Sequence, residues 1–259
     1  MKIEERIIKD WSDYIEIVSQ KPYKRFIYRG QADKKWPIET TIRRQLKNLK
    51  VRKDFYNSRE QSNIDIFKSR AHLYLNHLPS KTESYKNTLE WLALMQHFGA
   101  PTRLLDWTYS PFVAAFFALE TIPSDGCVYE IDYRALRKAN IGNFGKNYEK
   151  HVFSKDFEYY FIFPYEPKLQ NERLVAQQGL FIVPNDIDID VEEIIEEYSK
   201  EKSKILTKYI FSMTFSETKE TIKKLKQMNI DNLRLFPGIE GLSRSLTLQM
   251  LEAKSVISS

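Results

Sequence analysis

The sequence predicts an α+β fold. Two observations carry that expectation. Some segments repeat apolar residues at helical spacing, such as Trp11, Tyr14, Ile15 and Val18, while others are short β-rich runs such as Arg25 to Arg29. The two kinds are mixed without regular strand–helix–strand spacing, which disfavours a doubly wound sheet. At 259 residues the chain is near the upper limit for one hydrophobic core. A single compact domain over 1–259 is therefore expected, with mixed small sheets and packed helices.

In chain order, residues 10–20 read as a short helix. Arg25 to Arg29 reads as a strand that Gly30 ends. Pro37 and Thr40-Thr41 mark a turn before a basic helix. Asn63 to Leu78 carries Ile64, Phe67, Ala71, Tyr74 and Leu75 at helical spacing, so an amphipathic helix is expected there. Asn87 to Phe98 is another helix, with Gly99 where a C-terminal cap belongs. Ala100 to Thr108 reads as a turn and a short strand. Ser110 and Pro111 then suit the N-cap and first turn of a helix, apolar all round and so buried. Residues 127–132 are expected to form a strand, and 135–170 to be irregular. Arg173 to Val183 reads as one or two strands around Gly179. An acidic helix or lid is expected at 190–202, within the acidic run 185–202. Tyr209 to Phe215 reads as a strand and Thr218 to Met228 as a helix. Leu233 to Pro237 leads into a last helix from about Ile239 to Lys254.

Composition narrows the class. Apolar residues at 42% and charged residues at 29% are ordinary for a globular chain, and aromatic residues are abundant at 14%. One cysteine, Cys127, excludes an internal disulfide and fits a reducing compartment. It lies in an apolar run, so a structural role is expected. The N-terminus lacks the apolar core of a secretion signal, and no run nears the ~18 apolar residues that span a bilayer. A cytoplasmic protein with no membrane contact is the expectation. The net charge of +5 is uneven: residues 185–202 carry net −6, and Lys34, Lys35, Arg43, Arg44, Lys47, Lys50, Arg52 and Lys53 make a basic region. Such a region suits an anionic partner, RNA or DNA included, or is a solvated surface.

Four clusters place polar residues where burial is expected. Tyr28-Arg29-Gly30-Gln31 ends an apolar strand in an arginine, which needs an acid such as Asp106 or a bound anion as partner. Gly30 would let a ligand approach the backbone closely. Gln96-His97-Phe98-Gly99 puts a histidine at a helix C-terminus, to interact with the dipole or hold a loop. Pro101 to Ser110 brings Arg103, Asp106, Trp107, Thr108 and Ser110 just before the buried helix, whose N-terminus favours an anion. Arg173 to Phe181 sets Arg173 and Gln177 on a presumed strand. Walker, Gly-x-Gly-x-x-Gly, His-Glu-x-x-His, Cys-x-x-Cys and Gly-x-Ser-x-Gly motifs are absent from the sequence. Four scattered histidines and one cysteine disfavour zinc, and no metal is expected.

Taken together, Tyr28-Arg29-Gly30, the run from Glu90 to Thr108, Ser110-Pro111, Ala114 to Ala118, Arg173, Gln177, Gly179, Phe181, Leu235-Phe236-Pro237 and Gly241-Leu242 resemble the FRG domain family, named for its Phe-Arg-Gly. The resemblance covers roughly 25–245, with Tyr28 a conservative departure. The order of these motifs is also similar to ADP-ribosyltransferases of the arginine–serine–glutamate class. That resemblance implies an ADP-ribosyltransferase-like core that uses NAD as substrate. Arg29 would hold its phosphate or ribose, and Thr108 with Ser110 would support the pocket. Trp107, Tyr28 or Phe98 would stack the nicotinamide. Tyr28, Gly30, Gln31, Gln96, His97, Arg103 and Arg173 would complete the binding surface. Gln177 stands where the class has a glutamate. The fixed negative charge that a cationic transition state needs would then come from Asp106 or Glu172. Such a protein would act as a toxin or anti-phage effector on nucleic acid or protein, with an antitoxin or other neutralising partner to be expected. Two other readings stand beside it: a non-catalytic module for nucleic acid or a nucleotide, and a protein-interaction module using 185–202 as docking surface or lid.

Overall fold

Seven strands make one sheet in the computed structural model, which describes residues 3–80, 82–121, 125–154, 157–199 and 205–253. They are β1 (Glu4–Ile8), β2 (Phe26–Gln31), β3 (Leu105–Thr108), β4 (Cys127–Asp132), β5 (Ile162–Tyr165), β6 (Gly179–Pro184) and β7 (Leu206–Phe211). Their order in the sheet is β1-β7-β4-β2-β3-β6-β5. β1 runs parallel to β7, and every other neighbouring pair is antiparallel. The α+β class is therefore as expected, with one mixed sheet in place of several small ones. The eleven α-helices of the described residues are α1 (Trp11–Ser19), α2 (Thr41–Asn48), α3 (Tyr56–Arg70), α4 (Tyr85–His97), α5 (Pro111–Leu119), α6 (Tyr133–Phe144), α7 (Glu172–Ala176), α8 (Val191–Ser199), α9 (Phe215–Gln227), α10 (Asn232–Leu235) and α11 (Ile239–Ala253).

Helices cover both faces of the sheet. On one face Tyr14 of α1, Phe116 of α5, Ile222 of α9 and Leu235 of α10 pack with Tyr28, Val128 and Tyr209. On the other, Ile64 of α3, Leu92 of α4, Leu136 of α6 and Ile195 of α8 pack with Ile27, Tyr129 and Ile131. Alternate residues of β2 and β4 thus enter opposite cores, as a pleated strand requires. All six residues of β4 are buried. Cys127 is among them, and burial pushes its thiol up to about 11. It behaves as a core residue.

Local chemistry explains the ends of two helices that position the site. α4 starts at Ser84, whose side chain accepts from Asn87 N. It ends where Gly99 takes φ +79°, with Gly99 N donating to Gln96 O and Ala100 N to Met95 O. That paired closure is the glycine-dependent helix stop. α5 starts at Ser110, whose side chain accepts from Val113 N, with Pro111 next.

Several expectations are corrected. Gly30 lies inside β2 and does not end it. The helix placed at Asn63–Leu78 spans Tyr56–Arg70 and is followed by a 3-10 turn, Ala71–Leu73. Its buried stripe is Tyr56, Glu60 and Ile64, whereas Tyr74 is 82% exposed. Residues 135–170 are not irregular: α6 starts on Asp132, whose side chain accepts from Arg134 N and Ala135 N, and β5 follows at the sheet edge, where Pro164 is tolerated. Arg173 lies on α7 and Gln177 caps it, so neither is on a strand. The strand placed at Tyr209–Phe215 is β7, and Phe215 already starts α9. Leu233 lies in α10. Lys254 and residues 200–204 lie outside the described residues. Among the described residues, no helix is long and apolar enough to cross a membrane.

Candidate functional site

β2 and β3 share one registered pair, Tyr28 opposite Thr108. β2 stays paired with β4 over six residues, and β3 with β6 over four. Past that pair the two strands part, and a cleft of about 660 Å³ opens between them. Arg29, Gly30 and Gln31 form one wall, with Asp106 and Trp107 opposite. Phe117 and Glu120 at the C-terminal end of α5 line it, as do Arg173, Gln177, Phe236 and Arg244. Trp36, Glu39 and Arg44 come from the segment after β2.

Arg29 spans the gap. Its Nη1 donates to the main-chain oxygen of Asp106 at 2.7 Å, and its Nε is buried without a partner. Burial holds the guanidinium below its ordinary pKa; Asp106 opposes this and nearby Arg44 adds to it. The Asp106 carboxylate accepts from Gln96 Nε2 at 3.0 Å. Gln96 is held in turn by Thr102, whose Oγ1 donates to its Oε1 at 2.5 Å. Gln96 therefore lies behind the cleft and orients Asp106.

Gly30 is required by packing. A Cβ there would lie 1.9 Å from Ala114 O and 2.8 Å from Ala118 N of α5. The close approach is that of a helix, where a ligand had been expected. Tyr28 and Trp107 are each 3% exposed and present no open ring face. Phe98 is exposed but lies in an apolar depression with Ile66 and Tyr74. The exposed aromatic of the cleft is Trp36. Phe236, nearly fully buried, is clasped between Arg173, 4.7 Å from its ring centroid, and Arg244 at 4.0 Å. Glu240 ties both arginines, at 3.8 and 2.9 Å.

Other expected site residues serve the frame. Thr108 Oγ1 donates to Gln177 O at 2.7 Å and accepts from Ser110 N, so its hydroxyl is used internally. Ser110 caps α5, and that helix N-terminus faces a different depression, with Ala176 and Met228. The Gln177 side chain lines the cleft while donating to Leu235 O at 3.0 Å. Arg103 points away, into a buried ion pair with Glu60, and donates to Val152 O and Asn185 O at 3.1 and 2.9 Å. His97 does not line the cleft. Burial, then the charge of Arg173, lowers its pKa against the pull of Glu240.

Three carboxylates line the cleft. Glu39 is engaged by Lys47 at 2.9 Å and Arg43 at 3.7 Å. Burial raises the pKa of Glu120, against Arg244 and Asn232. Asp106 is the exposed one, and Glu172 is absent from the lining. Sequence reasoning missed Trp36, Glu39, Arg44, Glu120, Phe236 and Arg244 as cleft residues. Leu235-Phe236-Pro237 did carry a signal, as a late motif with an aromatic before proline.

Five of the eight residues of the basic region are in ion pairs among the described residues, with four acids between them. Lys34 pairs with Asp125, Arg52 with Asp54, and Arg43 and Lys53 with Asp188 of the acidic run. That run packs inward through Val191, Ile194 and Ile195, and none of its described residues lines the cleft. Among the described residues, no group of three or more His, Cys, Asp and Glu side chains is placed to hold a metal ion.

Residues 24–126 match the family model of the FRG domain. The matched stretch contains β2, β3 and α5, hence both strand walls and the α5 end of the cleft; Arg173, Gln177, Phe236 and Arg244 lie beyond it. No curated protein and no solved structure matches the chain.

Proposed function

Taking residues 24–126 as an FRG domain, we propose that the cleft is the substrate site of an NAD-dependent ADP-ribosyltransferase-like activity. The observation that carries this reading is that four arginines, Arg29, Arg44, Arg173 and Arg244, line the same cleft as the exposed Asp106, two of them paired with Glu240. Planar arginine forks suit the oxygens of a pyrophosphate. Trp36 offers a face on which a ring can stack. The volume falls within the roughly 300–1,000 Å³ of small-molecule sites.

The transfer would break the bond between the ribose anomeric carbon and the ring nitrogen of nicotinamide. The bonding pair leaves with nicotinamide, the sugar gains cationic character, and a nucleophile of the acceptor attacks that carbon and releases its proton. Asp106, held by Gln96, is the fixed negative group for the cationic sugar. Gln177 carries no charge and is anchored to Leu235, so its part is to position. The non-catalytic nucleic-acid reading is weakened by the ion pairs that engage five of the eight residues of the basic region.

The test is incubation with labelled NAD and a mixture of RNA, DNA and cell lysate, beside Arg29→Ala and Asp106→Ala. Label should move to one fraction, and both substitutions should abolish the transfer. Absence of nicotinamide release and of label in every fraction would overturn the activity.

A further inference from the structure

Arg173 of α7 and Arg244 of α11 both line the cleft, and both guanidinium groups lie over the ring of Phe236, 4.7 and 4.0 Å from its centroid. Phe236 is another lining residue. It is 2% exposed and packs edge-on against Phe117 of α5, so it is a fixed platform that holds the two cations at that part of the wall. Glu240, one turn before Arg244 on α11, does not line the cleft, yet it meets both arginines. Its Oε1 lies 3.8 Å from Arg173 Nη1 and 2.9 Å from Arg244 Nη2, and accepts from Arg244 Nε at 3.0 Å.

One carboxylate oxygen thus serves two guanidinium groups. The two cations are close enough together for one small anion to engage both. The Nε–Nη2 edge of Arg244, which suits a fork on a phosphate, is already taken by Glu240. That hold is weak, because the side chains of Arg173, Arg244 and Glu240 are 32%, 44% and 45% exposed, and exposed ion pairs contribute little. Glu120, the other acid whose charge acts on Arg244, lines the cleft itself and is hydrogen-bonded to Asn232. Glu240 is therefore the acid that a ligand can replace from the cleft side.

We propose that Glu240 is an internal stand-in for phosphate: it holds Arg173 and Arg244 until the pyrophosphate of the ligand takes its place on the two guanidinium groups. The identity of that ligand rests on the dinucleotide reading above. Glu240 thereby sets a charge threshold on the site. A ligand without phosphate offers the arginines nothing in exchange for the carboxylate, whereas a pyrophosphate offers oxygens to both. Phe236 holds the arginines independently of Glu240, so removing the carboxylate frees them without unseating them. Loss of a structural ion pair would weaken binding; loss of this one should tighten it.

The experiment measures binding of NAD, inorganic pyrophosphate and adenosine to the full chain, with and without Glu240→Gln. NAD and pyrophosphate should bind about two- to fivefold more tightly in the variant, the range of one exposed ion pair, and adenosine should not change. In a chain carrying Arg173→Met and Arg244→Met, adding Glu240→Gln should bring no gain. A gain that persists there comes from the general loss of a negative charge and overturns the proposal. Equal tightening of adenosine overturns it too. NAD binding that is unchanged or weakened by Glu240→Gln overturns the stand-in while leaving the dinucleotide reading intact. Pyrophosphate that tightens while NAD fails to bind keeps the stand-in and overturns the dinucleotide reading. Failure of both to bind overturns both.

Discussion

Arg29 and Arg103 look alike in the sequence, each a lone arginine set against apolar neighbours. Their environments are opposite. Arg103 is sealed against Glu60 of α3, a partner 43 residues away, and removing either member would strand a buried charge, a loss of about 3–5 kcal/mol in such pairs. Arg29 is half-buried, donates to a strand carbonyl and keeps an unpaired Nε. Local pattern could not separate them, because the deciding residue, Glu60, is 43 positions away in the chain and outside the helix expected at Asn63 to Leu78. His97 shows the same dependence on distant neighbours, since the charges that shift it lie on α7 and α11. The sign of its effect on stability follows from a depressed pKa. As pH falls through about 6.5, the unfolded chain takes up the proton before the folded one. The stability contributed by neutral His97 is thus full above that pH and is lost as pH falls through the folded pKa. Unfolding midpoints of the wild type should drop between pH 7 and 5, and His97→Gln should flatten that slope. Parallel slopes would contradict the assignment.

Two glycines test two different constraints on elements. Gly30 lies under α5, and the atoms that a Cβ would strike are backbone, which cannot rotate away. Gly30→Ala should force α5 off β2 and cost at least the ~1–3 kcal/mol typical of overpacking. Gly99 meets nothing within 4 Å, so only its positive φ is at stake. Gly99→Ala should cost about 1–2 kcal/mol. Denaturant midpoints should rank wild type above Gly99→Ala above Gly30→Ala; the reverse order would show that α5 can yield. The Gly99 stop and the Ser110-Pro111 start were legible, because caps are written in a few adjacent residues. α6 was not, since it fully buries only Leu136 and Asn140. Nor was α7, five residues long and started by the Asn171 side chain, too short for any periodicity to show. That short helix is why Arg173 and Gln177, which line the cleft, were set on the wrong element.

Across the whole molecule, most strands and helices could be read from their patterns, but β1, β5, α6 and α7 could not, and nor could the pairing of β2 with both β3 and β4. The cleft exists because one of those pairings stops after a single residue pair. Arg44 and Arg244 join it from helices far apart in the chain, so their role emerges only once the sheet is assembled. The seam should also be visible in amide exchange. Amides of β4 and of β2 facing β4 should exchange slowly, and those of β2 and β3 facing the cleft faster; uniform protection across β2–β3 would mean that the strands do not part. The opposite edge of the sheet has a different consequence. Glu4 pairs with Thr207, so the first strand of the chain finds its neighbour only after β7 has been made. Contacts so remote in sequence form slowly, because a long loop must close before they bring any return. During synthesis, β1 would leave the ribosome early and wait, unpaired, through the emergence of almost every other element.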